Sequence, residues 1–276
     1  MPRLLSSLQC AAARMPMPPG VKASLRHVMQ RIGCYDYRLP ALGIGPLAAD
    51  YAFVASYPKS GNTWMRFLLA HLASSSGTVS FRNLDTLVRD LHKPGELPRP
   101  IGANRVFKTH FPFFDLYPTC IYLVRDPRDV AISYYHYEAD RGRWQGSRRD
   151  FIATADHTFG SWRGHVEGAV AASRLNPRFK IFRYEDMLTD CAAVVSQTAE
   201  LLSLECTAEQ IDAAIEACRF ENLKQVEQRH GGEQNEKDAT FFREGKSRQW
   251  ESTLTDEEVT LIEQQSGELM QRFGYN

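Results

Sequence analysis

What this sequence lacks narrows its class before any motif is read. It has no excess charge, because 33 Lys and Arg are balanced by 33 Asp and Glu in 276 residues. That balance excludes a protein that coats nucleic acid through a generally basic surface, but leaves room for a local basic pocket. No apolar run approaches the roughly 18 residues that a membrane-spanning helix needs. The six cysteines (Cys10, Cys34, Cys120, Cys191, Cys206, Cys218) include no C-x-x-C pair, which removes zinc-ribbon and thioredoxin-type sites. Their wide, irregular spacing reads as reduced thiols in a cytoplasmic protein. No His-Glu-x-x-His motif and no Cys/His cluster points to a metal. There is no internal repeat and no low-complexity tract. Hydrophobic residues make up 43% and charged residues 24%, which is ordinary globular usage. A chain of this length can bury a full core without disulfide staples.

Acid is also missing from the first 35 residues, which carry Arg3, Arg14, Lys22, Arg26 and Arg31. Val21, Leu25, Val28, Met29 and Ile32 share one helical face there. Residues 1–48 are therefore expected to form a partly ordered N-terminal extension ahead of a single domain at 49–276. The extension reads as a helix docked on that domain, or as a transit or membrane-surface segment.

Short apolar runs alternate with helical patterns along the rest of the chain. Strands are expected at 51–57 (YAFVASY), 105–109 (RVFKT), 119–125 (TCIYLVR) and 180–184 (KIFRY). Helices are expected at 63–73, 127–141, 160–175, 186–204, 208–218 and 256–273, with Pro127 in a first turn and Thr255 as an N-cap. Residues 74–104, 141–149 and 228–248 read as polar or basic loops. This alternation implies an α/β fold, a central parallel sheet flanked by helices. Ligands in such sheets bind at the carboxyl ends of the strands, where residues 57–64, 108–110 and 125–133 fall.

Pro58-Lys59-Ser60-Gly61-Asn62 joins the first strand to the first helix. Backbone N–H groups of Gly61, Asn62 and Thr63 are placed to ring an anion at that helix start, with Lys59 as a mobile point charge. This is not a Walker loop. Gly245-Lys246-Ser247 has threonine, not glycine, at position 240, and no strand leads into it.

Four segments in order extend the reading. Tyr57-Pro58-Lys59-Ser60-Gly61-Asn62-Thr63-Trp64 resembles the 5′-phosphosulfate loop of the cytosolic sulfotransferases (Y-P-K-S-G-T-T-W). Lys108-Thr109-His110 resembles their K-T-H. The run Arg125-Asp126-Pro127-Arg128-Asp129-Val130-Ala131-Ile132-Ser133-Tyr134-Tyr135-His136 resembles their 3′-phosphate motif (R-N-P-K-D-V-A-V-S-Y-Y-H). Arg243-Glu244-Gly245, followed by Trp250, is similar to their R-K-G…G-D-W. The resemblance runs from about residue 51 to 250. It implies a P-loop nucleotide-kinase-like fold and an enzyme that uses 3′-phosphoadenosine 5′-phosphosulfate (PAPS), without a metal.

The resemblance also implies roles. Lys59 would neutralise charge on the leaving phosphate, and His110 would take the acceptor's hydroxyl proton as general base. Lys108 would add a second positive charge at the transferring group. Lys59, Ser60, Gly61, Asn62, Thr63 and Trp64 would bind the donor's 5′ end. Arg125, Ser133, Arg243 and the Gly245 backbone would hold its 3′-phosphate. Trp64, Phe220 and Tyr184 would contact the adenine, while Cys218 stands where the family usually has threonine and Glu244 where it has lysine. Phe111, Phe113, Phe114 and Tyr137 read either as an apolar acceptor wall or as core. The basic loop 141–149 reads as a solvated charge run, or as a reader of an anionic acceptor.

The expected activity is sulfuryl transfer to a hydroxyl of a small molecule, with no nucleic acid partner and no transmembrane segment. Sulfation of a sugar or amine, a P-loop kinase and an inactive nucleotide-binding scaffold remain alternatives. The family's dimer segment (K-x-x-x-T-V-x-x-x-E) reads Glu251-Ser252-Thr253-Leu254-Thr255-Asp256 here, so that dimer is not carried over and the oligomeric state stays open.

Overall fold

The computed structural model describes residues 47–74, 79–154, 157–232 and 245–276. The expected N-terminal helix, Arg243 and Glu244 lie outside these residues. Two strands carry the centre of the fold. β1 (Tyr51–Ser56) and β4 (Thr119–Val124) are buried at every residue. Runs of that kind are covered on both faces, as a parallel sheet requires. β2 (Val88–Asp90), β3 (Arg105–Thr109) and β5 (Phe179–Arg183) complete an all-parallel sheet in the order β2-β3-β1-β4-β5. Side chains alternate across β1: Phe53 and Ala55 enter one core with Phe107, Tyr117 and Tyr122, while Ala52 and Val54 enter the other with Leu68, Val106 and Ile121.

The chain leaves β1 through α1 (Asn62–Ala73), builds β2 and β3 on one side, then crosses to β4 and β5 on the other. The order of strands thus reverses at β1, and a crevice opens beyond the carboxyl ends of β1 and its neighbours. α2 (Pro127–Ala139) follows β4 directly. Asp126 caps it by accepting from Arg128 N–H, and Pro127 occupies its first turn. α3 (Arg148–Ala153) and α4 (Trp162–Leu175) follow, then β5 and α5 (Tyr184–Thr189). α6 (Cys191–Leu201), α7 (Ala208–Ala217), α8 (Phe220–His230), α9 (Trp250–Thr253) and α10 (Asp256–Arg272) complete the chain. Thr255 caps α10 in a reciprocal box with Glu258. No described helix is long and apolar enough to cross a membrane.

Four local expectations change. β2 lies inside the segment read as a polar loop; its three residues are too few for a period, and Arg89 and Asp90 disguise it. The single helix expected at 186–204 is two, because Asp190 ends one and caps the next through Ala193 N–H. α3 starts inside the basic loop, with Ser147 as its cap. α8 occupies residues to which no helix was assigned, and extends into the start of the expected loop at 228–248.

The turn between β4 and α2 is braced from below. Arg128 is almost wholly buried and reaches both Asp126 oxygens (2.8–3.2 Å) and the Asn276 carbonyl (3.1 Å). Its guanidinium lies 3.7 Å from the Trp250 ring centroid. Asp129 accepts from the N–H groups of Arg248 (2.8 Å) and Trp250 (3.1 Å), fastening the returning chain to α2. Arg128→Met strands a buried carboxylate and is expected to cost about 3–5 kcal/mol, as loss of one partner of a buried pair does. Urea denaturation checks it; an unchanged midpoint would show that the brace carries no stability.

Candidate active site

A cavity of about 620 Å³ opens over the carboxyl ends of β1, β3 and β4. It gathers residues from every motif singled out above. Lys59, Gly61, Asn62, Thr63, Trp64, Lys108, His110, Arg125, Ser133, Tyr184, Phe220 and Gly245 all line it. Ser60 sits just beneath, fully buried.

The β1–α1 turn explains the first group. Lys59 has φ +67° and Gly61 φ +92°, so the chain curls in left-handed steps into the helix. A positive φ at lysine is costly, and such strain persists only where the surroundings enforce it. Here Arg125 Nη1 donates to the Lys59 carbonyl (3.1 Å). Gly61 supplies no side-chain cap to α1, so the N–H groups of the first helical turn are left for a ligand. A β-carbon at Gly61 would stand 2.6 Å from Tyr184 Cδ2, so that ring closes over the turn. Lys59 Nζ lies 4.5 Å from the Tyr137 ring centroid, inside the cavity.

Several buried polar atoms await a partner. Ser60 Oγ, Trp64 Nε1 and Arg125 Nε have none among the described residues. Buried polar atoms are nearly always paired, so a cluster of orphans in one cavity points to a polar ligand. Arg125 donates to two carbonyls, Lys59 O and Lys246 O, and its Nη2 lies 3.8 Å from an Asp129 carboxylate oxygen. Its guanidinium lies 4.4 Å from the Tyr184 ring centroid. The guanidinium is thus oriented by two carbonyls and a ring face, with the buried Asp129 carboxylate at salt-bridge range. Phe220 packs under Gly245, where any β-carbon would run into its ring. Trp64 meets Tyr184 edge-on at 5.8 Å.

Toward the other end lies His110, just past β3. Its Nδ1 is 2.7 Å from the Ser56 carbonyl. A carbonyl only accepts, so Nδ1 carries the proton and Nε2 keeps a lone pair. Burial pushes the His110 pKa well below the ordinary value; Lys108 and His92 add to this, while the Ser56 bond and Asp90 oppose it. The imidazole is therefore neutral and able to accept a proton.

Two of the expected site residues are engaged within the protein. Lys108 lines the cavity, and its Nζ is 3.1 Å from the equally buried Asp90. Burial tends to raise the Asp90 pKa; Lys108, Arg66 and His92 overcome it and keep the carboxyl ionised. The Asn62 amide ties together the ends of β1 and β3, donating to Val54 O (3.0 Å), Ser56 Oγ (3.2 Å) and Thr109 O (3.5 Å), while its backbone belongs to the first turn of α1. Of the aromatic candidates, Phe111, Phe113 and Phe114 pack in the core and Tyr137 lines the cavity. The basic loop divides: Arg143 lines the cavity, whereas Arg148 and Arg149 pair with Glu258 and Glu257.

Asp90, His92, Lys93, Tyr134, Thr158 and Phe159 also line the cavity and were not anticipated. The first three follow from β2, whose carboxyl end lies beside that of β3. An alternating Asp-x-His after a recognised strand would have signalled them.

Comparison with known proteins agrees with this geometry. A family model described as the sulfotransferase domain matches residues 49–274. Sulfotransferase 1A1 of Bos taurus is 26% identical, over 81% of this chain and 86% of its own. Cytosolic sulfotransferase 17 of Arabidopsis thaliana is 28% identical, over 76% and 71%. Among solved structures, retinol dehydratase in complex with androsterone and inactive cofactor PAP superposes with a TM-score of 0.63 at 23% identity, covering 82% of each chain. A mouse sulfotransferase complexed with PAP gives 0.64 at 20% identity, covering 84% of this chain and 88% of its own. With the loop, the cavity and the family match in agreement along one continuous stretch, the chain belongs to the sulfotransferase domain family.

Proposed function

We propose that the protein transfers the sulfuryl group of PAPS to a hydroxyl of a small-molecule acceptor, with His110 as general base and Lys59 stabilising the leaving phosphate. The observation that carries the reading is one cavity with an anion cradle at one end and a neutral imidazole at the other. Family membership and the PAP bound by two structural neighbours support it.

When bound, the donor supplies an electrophilic sulfur attached to a phosphate leaving group. Ser60, the backbone N–H groups of Gly61 to Thr63 and Lys59 suit its 5′ end. Arg125, Ser133 and the Gly245 backbone suit the 3′-phosphate, with Arg243 assigned there on the motif alone. Trp64, Phe220 and Tyr184 suit the adenine. The acceptor oxygen forms the new bond to sulfur as its proton passes to His110 Nε2. The bond from sulfur to the phosphate oxygen breaks, and Lys59 offsets the charge that gathers on that oxygen. Asp90, Lys93, Glu138 and Arg143 give this end of the cavity polar walls, which favours a sugar or amine acceptor as the second reading. A cytoplasmic location fits the free thiols of Cys120, Cys191, Cys206 and Cys218.

The test is an acceptor screen with labelled PAPS across phenols, alcohols, sugars and amines, beside calorimetry with PAP. Label transfer to a hydroxyl supports the reading. Absence of PAP binding at saturating concentration would remove the donor assignment, and phosphoryl transfer from ATP would replace it with the kinase. Gly61→Ala tests the cradle. The left-handed conformation costs a non-glycine residue about 1–2 kcal/mol, and the new methyl must displace Tyr184. PAP affinity is expected to fall at least tenfold, read by calorimetry; unchanged affinity would place the phosphate elsewhere.

A further inference from the structure

His110 is held by two other histidines. Its backbone N–H donates to His92 Nε2 (3.0 Å), and its carbonyl lies 3.1 Å from His165 Nε2. These contacts settle two tautomers. An N–H only donates, so His92 Nε2 is the unprotonated nitrogen. A carbonyl only accepts, so His165 carries its proton on Nε2, and its Nδ1 accepts from the Tyr122 hydroxyl (2.7 Å). Burial lowers the His165 pKa to about 4, so it stays neutral at working pH. The His92 ring also stacks on the His110 ring, with centroids 5.3 Å apart and planes 21° from parallel. His92 is itself fixed: Asp90 Oδ1 accepts from its backbone N–H (2.9 Å), and Phe111 and Phe159 flank its ring.

His110 sits one residue past the end of β3, where the sheet no longer fixes the backbone. With His92 on its N–H, His165 on its carbonyl and the Ser56 carbonyl on Nδ1, Nε2 is the polar atom of the residue left for the cavity. We propose that His92 and His165 are positioning residues that clamp the main chain of His110 and so aim its Nε2 at the acceptor oxygen. The inference rests on the reading of His110 as the base. Neither positioning residue exchanges a proton with the acceptor. His165 works from the core on α4, His92 from the end of β2 and the Ser56 carbonyl from the end of β1, so the base is located by three separate elements.

The test separates the clamp from the chemistry. His92→Leu removes the acceptor for the His110 N–H. His92→Gln returns an oxygen near the position of Nε2. Sulfation of 4-nitrophenol, or of the best acceptor in the screen if that phenol is not turned over, is measured for both. His92→Leu is expected to lower kcat about 10- to 100-fold, the scale of an ångström-sized misplacement. KM for PAPS and PAP affinity should stay within about twofold, and His92→Gln should recover kcat to within about threefold of the parent, small beside that misplacement scale. His165→Leu and His165→Gln should behave in the same way. Long-range proton–nitrogen NMR on imidazole-labelled protein reads the tautomers without any turnover. His110 should be wholly Nδ1–H in the parent and show a detectable share of the Nε2–H form in His92→Leu.

A parent His110 protonated on Nε2 would overturn the clamp. So would unchanged kcat in His92→Leu, a glutamine variant as poor as the leucine one, or a parallel loss of PAP affinity, which marks a merely structural histidine. A parent that shows the expected tautomers but sulfates nothing would defeat the functional reading and leave the clamp geometry standing.

Discussion

His110→Ala is expected to lower kcat by about 10²–10⁴ while PAP still binds, since a positioned general base contributes on that scale. The variant removes the proposed base and its bond to the Ser56 carbonyl, and leaves the backbone N–H groups of the phosphate loop in place. Its pH behaviour follows from the same burial. In the parent, desolvation first, then Lys108 and His92, push the His110 pKa well below the ordinary imidazole value. A lowered pKa means that the base form persists as pH falls. The kcat/KM profile should therefore stay flat from neutrality down through about pH 6.5, the unperturbed histidine value, and its acid limb should appear below that. An acid limb centred at or above the unperturbed value would assign the base to another group. Stability has the same sign. A buried neutral histidine binds fewer protons than its unfolded counterpart, so acid favours unfolding. His165, with a pKa of about 4, adds to this between its unfolded and folded values.

The second large effect concerns the lysine. Lys59→Ala is expected to reduce kcat by about 10²–10³, the cost of removing one preorganised stabiliser of developing charge. Affinity for PAP should change much less, because the cradle is made from backbone N–H groups that the substitution leaves in place. The strained turn is what places Lys59 in the cavity. Its left-handed backbone turns the carbonyl onto Arg125, while its ammonium lies over the Tyr137 face in the cavity. Arg125→Lys should show the opposite split. A lysine keeps the charge but loses the planar fork and the contact with Tyr184, so KM for PAPS should rise about tenfold or more, the scale of one lost charged hydrogen bond, with kcat little altered. Steady-state kinetics on both variants decide it. If Lys59→Ala raises only KM, the lysine is a binding group and the charge on the leaving oxygen is met elsewhere.

Legibility in the sequence followed the length and purity of each signal. YAFVAS and TCIYLV could be read because central parallel strands are apolar on both faces. The P-K-S-G turn could be read because close approach of a phosphate to backbone admits few residue types. β2 could not, since its Val-Arg-Asp carries no period, and with it went Asp90, His92 and Lys93. Lys108 shows the limit of motif reading. Its position was expected, yet its charge is met by a carboxylate 18 residues away that only sheet pairing brings close. Asn62 shows another, because the bonds of its amide to the strand ends appear only in the fold.

By itself the sequence determined the parallel sheet, the anion-binding turn and the pairing of Lys59 with His110 in one family of chemistry. Those features are local: each depends on a short run of residues and on the backbone conformations that the run permits. Tertiary structure decided how charge is distributed around the cavity and what holds His110. The pairing of Lys108 with Asp90, the carbonyls of Lys59 and Lys246 that hold the buried Arg125, and His92 and His165 on either side of His110 all join segments far apart in the chain. A balance of 33 basic and 33 acidic residues is silent on such matters. Coulomb and hydrogen-bond terms act over a few ångströms, so which charges meet is known only when the fold has brought them together.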